Sequence, residues 1–103
     1  MVYEDDNFLA FLSNQPLSVG HTLIIPKNHY RWVWDVPNCG AYFEVAKKIA
    51  RAQRKAFGQE MILSKIVGED VPHAHIWIYP DKAAKGDRGD FEGNKKKIIA
   101  AME

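Results

Sequence analysis

The chain has 103 residues, of which 47% are hydrophobic, 12% aromatic and 26% charged, a composition typical of one globular domain. The net charge of +1 favours neither nucleic acid nor an anionic membrane as partner, and no apolar run reaches the roughly 20 residues of a membrane span. Cys39 is the only cysteine, which excludes an intrachain disulfide and a cysteine zinc cluster. The sequence has no signal-peptide pattern, so we expect a single cytoplasmic domain over residues 1–103. We expect this domain to be trimmed at its ends, because the given sequence stops at Glu103 within a helical pattern.

The first third of the chain predicts a β-hairpin. FLAFL at 8–12 is a short apolar run, as in a buried strand, and HTLIIPK at 21–27 is rich in β-branched residues up to Pro26. SNQPLSVG at 13–20 combines the residue types of turns. These three segments therefore form strand, loop and strand.

Residues 40–57 predict an amphipathic helix, because apolar residues recur in them with a period near 3.6. These residues are Tyr42, Phe43, Ala46, Ile49, Ala50 and Phe57. Gln53 interrupts the apolar stripe, while Asp35 or Asn38 is suited to cap the helix and Gly58 to end it. The opposite, basic face is interpreted as solvated surface rather than as a nucleic-acid site.

The second half of the chain predicts two more strands and a short helix. The strands are MILSKIV at 61–67 and HAHIWIY at 73–79, and residues 81–93 are expected to form a surface loop. The last helix is expected to begin at Asn94 as its cap. The order of elements predicts an α+β fold, in which one long helix packs on an antiparallel sheet.

The fourth predicted strand separates two kinds of side chain, because alternate residues of a strand point to opposite faces. One face carries His73, His75, Trp77 and Tyr79, and the other carries Ala74, Ile76 and Ile78. The second face is suited to pack on the long helix. The histidine face must meet something else, since buried imidazole nitrogens without partners are costly.

Three interpretations of this face are open at the level of residue spacing. The histidines could lie on a solvated surface without a role. They could bind a metal, with His21 as a third ligand. They could act at phosphorus, because a neutral imidazole is a good nucleophile near neutral pH.

Two segments together resemble the histidine triad (HIT) superfamily of nucleotide hydrolases and transferases. YEDDNFLAFLSNQPLSVGHTLIIPKNH at 3–29 is similar to the N-terminal pattern of that family, and VPHAHIW at 71–77 is similar to its His-φ-His-φ-His signature. The helix between them and the order of the strands also agree. The resemblance implies a HIT-like antiparallel sheet with one long helix packed on it and a short C-terminal helix.

The resemblance also implies roles for individual residues. His75 matches the nucleophile, His73 the residue that holds its ring, and His21 a position close to the phosphate. Phe11, Ser13 and Asn14 match the nucleoside side of the site, and His29 matches a structural position. The family implies a homodimer through the long helix and the third predicted strand, and its mechanism requires no metal or cofactor.

This chain departs from the family pattern at several positions. Trp77 replaces the third histidine, and we expect its indole N–H to donate to a phosphoryl oxygen; the alternative is that Trp77 only packs and blocks the site. Asp70 lies where many members carry a neutral residue and is either a general acid or a solvated turn residue. Ser64 and Ser13 replace an asparagine and an acidic ribose ligand, respectively.

The sequence therefore predicts a nucleotide-binding hydrolase or nucleotidyl transferase. Its substrate would be a dinucleoside polyphosphate or a nucleoside phosphoramidate, cleaved at the α-phosphate through a covalent intermediate on His75. Alternatives are a nucleotide-binding relative with little turnover and a metal-binding domain.

Overall fold

The computed structural model describes residues 1–68 and 71–102. The elements in this part of the chain are, in order, β1 (Tyr3–Glu4), β2 (Phe8–Leu12), β3 (Thr22–Pro26), a 3₁₀-helix (Val33–Asp35), α1 (Cys39–Phe57), β4 (Ile62–Ile66), β5 (Ile76–Pro80) and α2 (Phe91–Ala101). Neither α1 nor α2, the two α-helices of the described residues, combines the length and apolar character needed to cross a membrane.

The strands form one antiparallel sheet in the order β1-β2-β3-β5-β4. β2 and β3 form the predicted hairpin, and β5 lies between β3 and β4. The α+β prediction, with a long helix on one face of the sheet, is confirmed. β1 was not predicted, because two residues carry too little periodicity to be recognised.

The pairing register places one row of side chains across four strands. Phe11 of β2 is paired with Leu23 of β3, and Leu23 with Trp77 of β5. Trp77 is paired in turn with Lys65 of β4. Directly paired residues share a face of the sheet, so these four side chains lie side by side on the face turned away from α1.

α1 covers the other face of the sheet and forms the core with it. Ile24 and Ile76 from the sheet and Ile49 from α1 have no exposed surface. The side chain of Asn38 accepts a hydrogen bond from the amide of Ala41 at 3.3 Å, and Gly58 ends the helix with a left-handed φ of 62°. Both caps were among the sequence predictions.

Gln53 is not a break in the buried stripe of α1 but part of it. The residue has no exposed surface, and its side-chain amide donates to the carbonyl oxygens of Gly20 and Ile78, both at 2.9 Å. A buried amide with such partners fastens the helix to β5 and to the loop that follows β2. The predicted apolar position Phe43 is instead 40% exposed.

The prediction that the last helix begins at Asn94 is wrong. α2 begins at Phe91, where the carboxylate of Asp90 accepts from the amide of Gly93 at 3.1 Å. Asn94 is only 2% exposed, and its side chain donates to the carbonyl oxygen of Asp87 at 2.9 Å. An Asn that caps a helix and an Asn buried within it look alike in sequence, because the residue type is the same.

The strand predicted over residues 73–79 is shorter in the structure and begins at Ile76. Just before it, the amide of Ala74 donates to the carbonyl oxygen of Tyr30 at 2.6 Å, outside the regular pairing of the sheet. The alternation of faces nevertheless continues through this segment, because Ala74 and Ile76 are buried in the core while His73 and His75 line the opposite side.

Candidate functional site

A cleft of about 400 Å³ lies on the sheet face opposite α1. Its lining residues are Phe11, Ser13, Asn14, Gln15, Leu17, His21, Leu23, Ile25, Val71, His73, His75 and Trp77. The volume lies within the range typical of small-molecule sites. Four predicted catalytic residues and three predicted nucleotide-binding residues therefore line the same cleft.

The imidazole of His75 is held by the backbone beside it. Its Nδ1 lies 2.8 Å from the carbonyl oxygen of His73, and a carbonyl can only accept, so Nδ1 carries the proton and donates. In the neutral ring the lone pair is therefore on Nε2, which has no hydrogen-bond partner among residues 1–68 and 71–102. His75 is 5% exposed and lines the cleft.

His73 is oriented by contacts on both sides of its ring. Its Nε2 donates to the carbonyl oxygen of Pro26 at 3.0 Å. Its Nδ1 lies 3.2 Å from Nδ1 of His29, so in the neutral state of His73 the exposed His29 is the donor. The segment that carries His75 is thus fastened to the end of β3, in keeping with the structural position predicted for His29.

His21 lines the cleft as a neutral donor. The amide of Leu17 donates to its Nδ1 at 3.0 Å, which leaves the proton on Nε2. Burial lowers the pKa of His21 to about 4, and the charge of Lys65 adds to this shift. The Nε2 atom is buried without a hydrogen-bond partner in the described structure.

Gly20 determines where His21 lies, since the chain turns there with a φ of 74°. A Cβ on Gly20 would also lie 2.3 Å from the ring of Phe57, closer than two carbon atoms can approach. The left-handed backbone therefore favours glycine before His21, and a Cβ there would fit only if the Phe57 ring moved.

Trp77 lies between the histidines and the outer strand. Its ring centroid is 5.3 Å from that of His21 and 6.3 Å from that of His75, and the Lys65 ammonium lies 5.6 Å from it. The indole Nε1 is buried with no hydrogen-bond partner among the residues described. A buried Trp N–H normally has a hydrogen-bond partner, so the unpaired donor of Trp77 is exceptional.

The β2–β3 side of the cleft is mainly apolar, with Phe11, Leu23 and Ile25 as its wall. Ser13 is 8% exposed, and its hydroxyl accepts from the amide of Gln15 at 3.2 Å, whereas Asn14 is exposed. Apolar surface with a few polar groups suits a nucleoside. Leu23 and Ile25 escaped the sequence analysis, although they lie on the same face of the sheet as the predicted Phe11.

One predicted site residue of the described part of the chain, Ser64, is not brought to the cleft. Ser64 is paired with Ile78, whose side chain is in the core, so Ser64 points to the helix side of the sheet and cannot contact a ligand in the cleft. Asp70 lies outside the described residues. Lys65, one position away, is on the cleft side of β4, which strand alternation alone could have indicated.

The histidines of the cleft do not form a metal site in the part of the chain that is described. No group of three or more His, Cys, Asp or Glu residues there is placed to hold a metal ion. Both ring nitrogens of His73 contact other groups and Nδ1 of His21 accepts from Leu17, which leaves Nε2 of His75 as the imidazole nitrogen of the cleft with an open lone pair in the described structure.

Sequence comparison matches the chain to the HIT domain family over residues 1–84. An uncharacterised HIT-like protein of Methanocaldococcus jannaschii is 32% identical over 95% of this chain and 80% of its own length. Adenylylsulfatase HINT3 of Arabidopsis thaliana is 36% identical over 79% of this chain. Adenosine 5′-monophosphoramidase HNT1 of Saccharomyces cerevisiae is 33% identical over 74% of it. The matches span 45% and 50% of these two enzymes.

Solved structures show the same fold. A Hit-like protein involved in cell-cycle regulation from Bartonella henselae, crystallised with an unknown ligand, superposes with a TM-score of 0.85 at 35% identity, covering 97% of this chain and 84% of that one. A zinc-bound histidine triad family protein from Mycobacterium smegmatis superposes with a TM-score of 0.82 at 30% identity, covering 98% and 81%.

Proposed function

This chain belongs to the HIT domain family, and we propose that it is a nucleotide-binding hydrolase or nucleotidyl transferase. Two relatives of the family are named as an adenylylsulfatase and an adenosine 5′-monophosphoramidase, which supports nucleotide hydrolysis in general. The proposed substrate is a nucleotide conjugate, either a dinucleoside polyphosphate or a nucleoside phosphoramidate. The proposed bond cleaved is the one between the α-phosphorus and the leaving group.

The observation that carries this proposal is the hydrogen bond from Nδ1 of His75 to the carbonyl oxygen of His73, 2.8 Å long. It directs the neutral ring to keep its lone pair on Nε2, in a cleft large enough for a nucleotide. Nε2 attacks the α-phosphorus and forms an N–P bond, while the bond to the leaving group breaks and its electron pair departs with that group. The ring becomes positively charged, and the carbonyl of His73 stabilises this charge.

Water completes the reaction. Water attacks the phosphorus, the N–P bond breaks, and its electron pair returns to Nε2 of His75. The products of this step are a nucleoside monophosphate and a proton. In a transferase, another nucleophile takes the place of water. Asp70 is proposed as the general acid for an amine leaving group from its place in the sequence alone.

Two buried N–H groups are the proposed donors to the phosphoryl oxygens. Nε2–H of His21 and Nε1–H of Trp77 both belong to residues that line the cleft, and neither has a partner in the described structure. Preoriented donors of this kind stabilise the charge that develops in the transition state. Phe11, Ser13 and Asn14 are proposed to bind the nucleoside beside them.

The proposal includes assembly and location. We propose one domain that forms a cytosolic homodimer through α1 and β4, because β4 is an edge of the sheet and its outer backbone groups can pair. Its partner in function is a nucleotide conjugate rather than nucleic acid or a membrane.

A second candidate function is nucleotide binding with little or no turnover. The observation that favours it is the stacking of Trp77 beside His75, with ring planes inclined by 29°, because a bulky indole there can close the approach to phosphorus. Zinc binding, the third alternative, has only the zinc-bound relative in its favour, because no group of three or more ligand residues in the described structure is placed to hold a metal ion.

The test is incubation of the wild type and of His75→Ala with a panel of dinucleoside polyphosphates and nucleoside phosphoramidates. We expect the wild type to release nucleoside monophosphate and to form a nucleotidyl adduct at His75 that mass spectrometry detects. His75→Ala should lose about 10³-fold or more in turnover, as expected for a missing nucleophile, while it still binds adenosine or guanosine monophosphate. Equal slow turnover in both proteins would favour the binding function, and stoichiometric zinc after dialysis the metal function.

A further inference from the structure

We propose that Lys65 selects substrates with an anionic leaving group, such as a phosphate, sulfate or polyphosphate, over substrates that release an uncharged amine. This inference rests on the proposed function, because it concerns the group that departs when His75 attacks. No role for Lys65 followed from the sequence analysis. The inference comes from the register of the sheet and from the charges around the cleft.

The register gives the substrate a direction across the sheet. The apolar nucleoside wall lies on β2 and β3 with Phe11 and Leu23, and the next strand, β5, carries Trp77 beside the attacking His75. A phosphorus atom at β5 therefore has the nucleoside on its β3 side. Because displacement is in line, the rest of the substrate leaves away from His75, and the free direction across the sheet is toward β4.

Lys65 is the residue of β4 in that direction. It is paired with Trp77, so its side chain lies on the cleft face, and its ammonium lies 5.6 Å from the centroid of the indole ring. Adjacent strands are about 4.8 Å apart, so a group one bond beyond a phosphorus at β5 is within reach of this flexible side chain. Its charge also reaches the cleft, since it helps to lower the pKa of His21.

The surrounding charges leave this ammonium available. Lys65 is exposed and forms no ion pair with a carboxylate of residues 1–68 or 71–102. The ion pair in that part of the chain is between Lys27 and Glu4. None of the described lining residues of the cleft is Lys, Arg, Asp or Glu. Lys65 is thus a cation on the cleft face of the sheet, beside Trp77 and without an ion-pair partner in the described structure.

The charge that develops on the leaving group explains the proposed selectivity. When a phosphoanhydride or sulfate conjugate is cleaved, the bond to phosphorus breaks and its electron pair stays on an oxygen of the leaving group, which increases its negative charge. A cation beside that oxygen favours the transition state over the ground state. An amine leaving group takes up a proton and departs without negative charge, so it gains nothing from the ammonium.

The test compares two substrates that share the nucleoside adenosine. The substrate with an anionic leaving group is adenosine 5′-phosphosulfate or a diadenosine polyphosphate, and the substrate with an uncharged leaving group is adenosine 5′-phosphoramidate. The quantity measured is the ratio of kcat/KM for the anionic to the uncharged leaving group. Lys65→Met keeps an unbranched apolar side chain next to Trp77 but removes the charge, and we expect it to lower this ratio by about 5–10-fold, the size of one partly screened charge contact. Lys65→Arg should keep the ratio within about twofold of wild type.

Lys55→Met is the matched control, because Lys55 is an exposed lysine of α1, on the other side of the sheet. It makes the same change in net charge and should keep the wild-type ratio. The loss in Lys65→Met should also shrink as salt rises from about 0.05 M to 0.5 M, since salt screens an exposed charge. An unchanged ratio in Lys65→Met, or an equal loss in Lys55→Met, would overturn the inference. Cleavage of neither substrate by the wild type would instead contradict the proposed function.

Discussion

His21 and Trp77 lie side by side with ring centroids 5.3 Å apart, and each has a buried ring N–H that contacts no acceptor in the described structure. Two neighbouring unpaired donors are unusual in a folded protein, because each loses its hydrogen bonds to water without replacement. Both residues line the cleft, and we proposed above that a bound phosphoryl group supplies the missing acceptor. This relationship leads to the first two predictions.

Removal of the indole N–H of Trp77 should slow the reaction while nucleotide binding is largely kept. Trp77→Phe keeps an aromatic ring but has no donor, and we expect kcat to fall by about 10–100-fold, as for loss of one donor to a developing negative charge. Binding of nucleoside monophosphate, measured by calorimetry, should change by less than about threefold. Trp77→His restores a ring N–H and is expected to recover part of the rate. Faster turnover in Trp77→Phe would show that the indole obstructs the site.

The free energy of unfolding should depend on pH through His21. The pKa of His21 is about 4 in the folded protein, against 6.5 as its ordinary value, because burial disfavours the charged ring. Between these values the unfolded chain binds a proton that the folded chain does not, so stability falls as the pH falls. The contribution is fully present above pH 6.5, and we expect a loss of about 2 kcal/mol between pH 7 and pH 5.

Urea denaturation of the wild type and of His21→Asn at pH 7, 6 and 5 measures this contribution. Asparagine keeps an acceptor for the amide of Leu17 but has no titrating group, so its stability should fall less than that of the wild type over this range. If His21→Asn lost stability as steeply as the wild type, His21 would not be the source.

Gly20 and Gly58 allow the steric part of a glycine substitution to be separated from its backbone part. Both have a left-handed φ, 74° and 62°, but a Cβ on Gly20 meets the Phe57 ring at 2.3 Å, whereas on Gly58 it meets nothing within 4 Å. Gly58→Ala should cost about 1 kcal/mol, the conformational term alone. Gly20→Ala should cost about 2–4 kcal/mol, because overpacking adds to that term.

The same comparison predicts an effect on the site. Gly20 precedes His21, so a displaced backbone in Gly20→Ala should lower turnover, while Gly58→Ala should not. Addition of Phe57→Leu to Gly20→Ala should recover part of both losses, because a smaller side chain relieves the contact. Equal losses of stability in the two alanine variants would contradict the assignment.

Much of the fold could be predicted from local patterns. The β2–β3 hairpin, the limits of α1 and the two faces of the histidine segment depend on period, caps and turn residues, which neighbouring residues determine. Gln53 could not be predicted in the same way, since its buried position depends on carbonyl groups of Gly20 and Ile78 that lie far from it in sequence. Polar residues in a stripe look exposed until their partners are known.

The candidate site, like the fold, could be predicted from the sequence only in part. The resemblance placed seven residues that do line one cleft, but it also included Ser64, whose side chain points to the other face of the sheet. The error arose because a one-residue difference in register exchanges the two faces of a strand. Contacts such as that between His29 and His73, 44 residues apart, depend on how the strands come together and have no local signature.

The alternation along β5 links folding to chemistry. Ile76 and Ile78, which are 0% and 4% exposed, alternate with the ring-bearing residues of the cleft. If β5 paired one residue out of register, its isoleucines would enter the cleft and the adjoining rings would enter the hydrocarbon interior. Such a misfolded form would be both unstable and inactive. A protein molecule that acquires its native hydrophobic interior therefore acquires its reactive surface in the same step, and partially active misfolded species are not expected to accumulate.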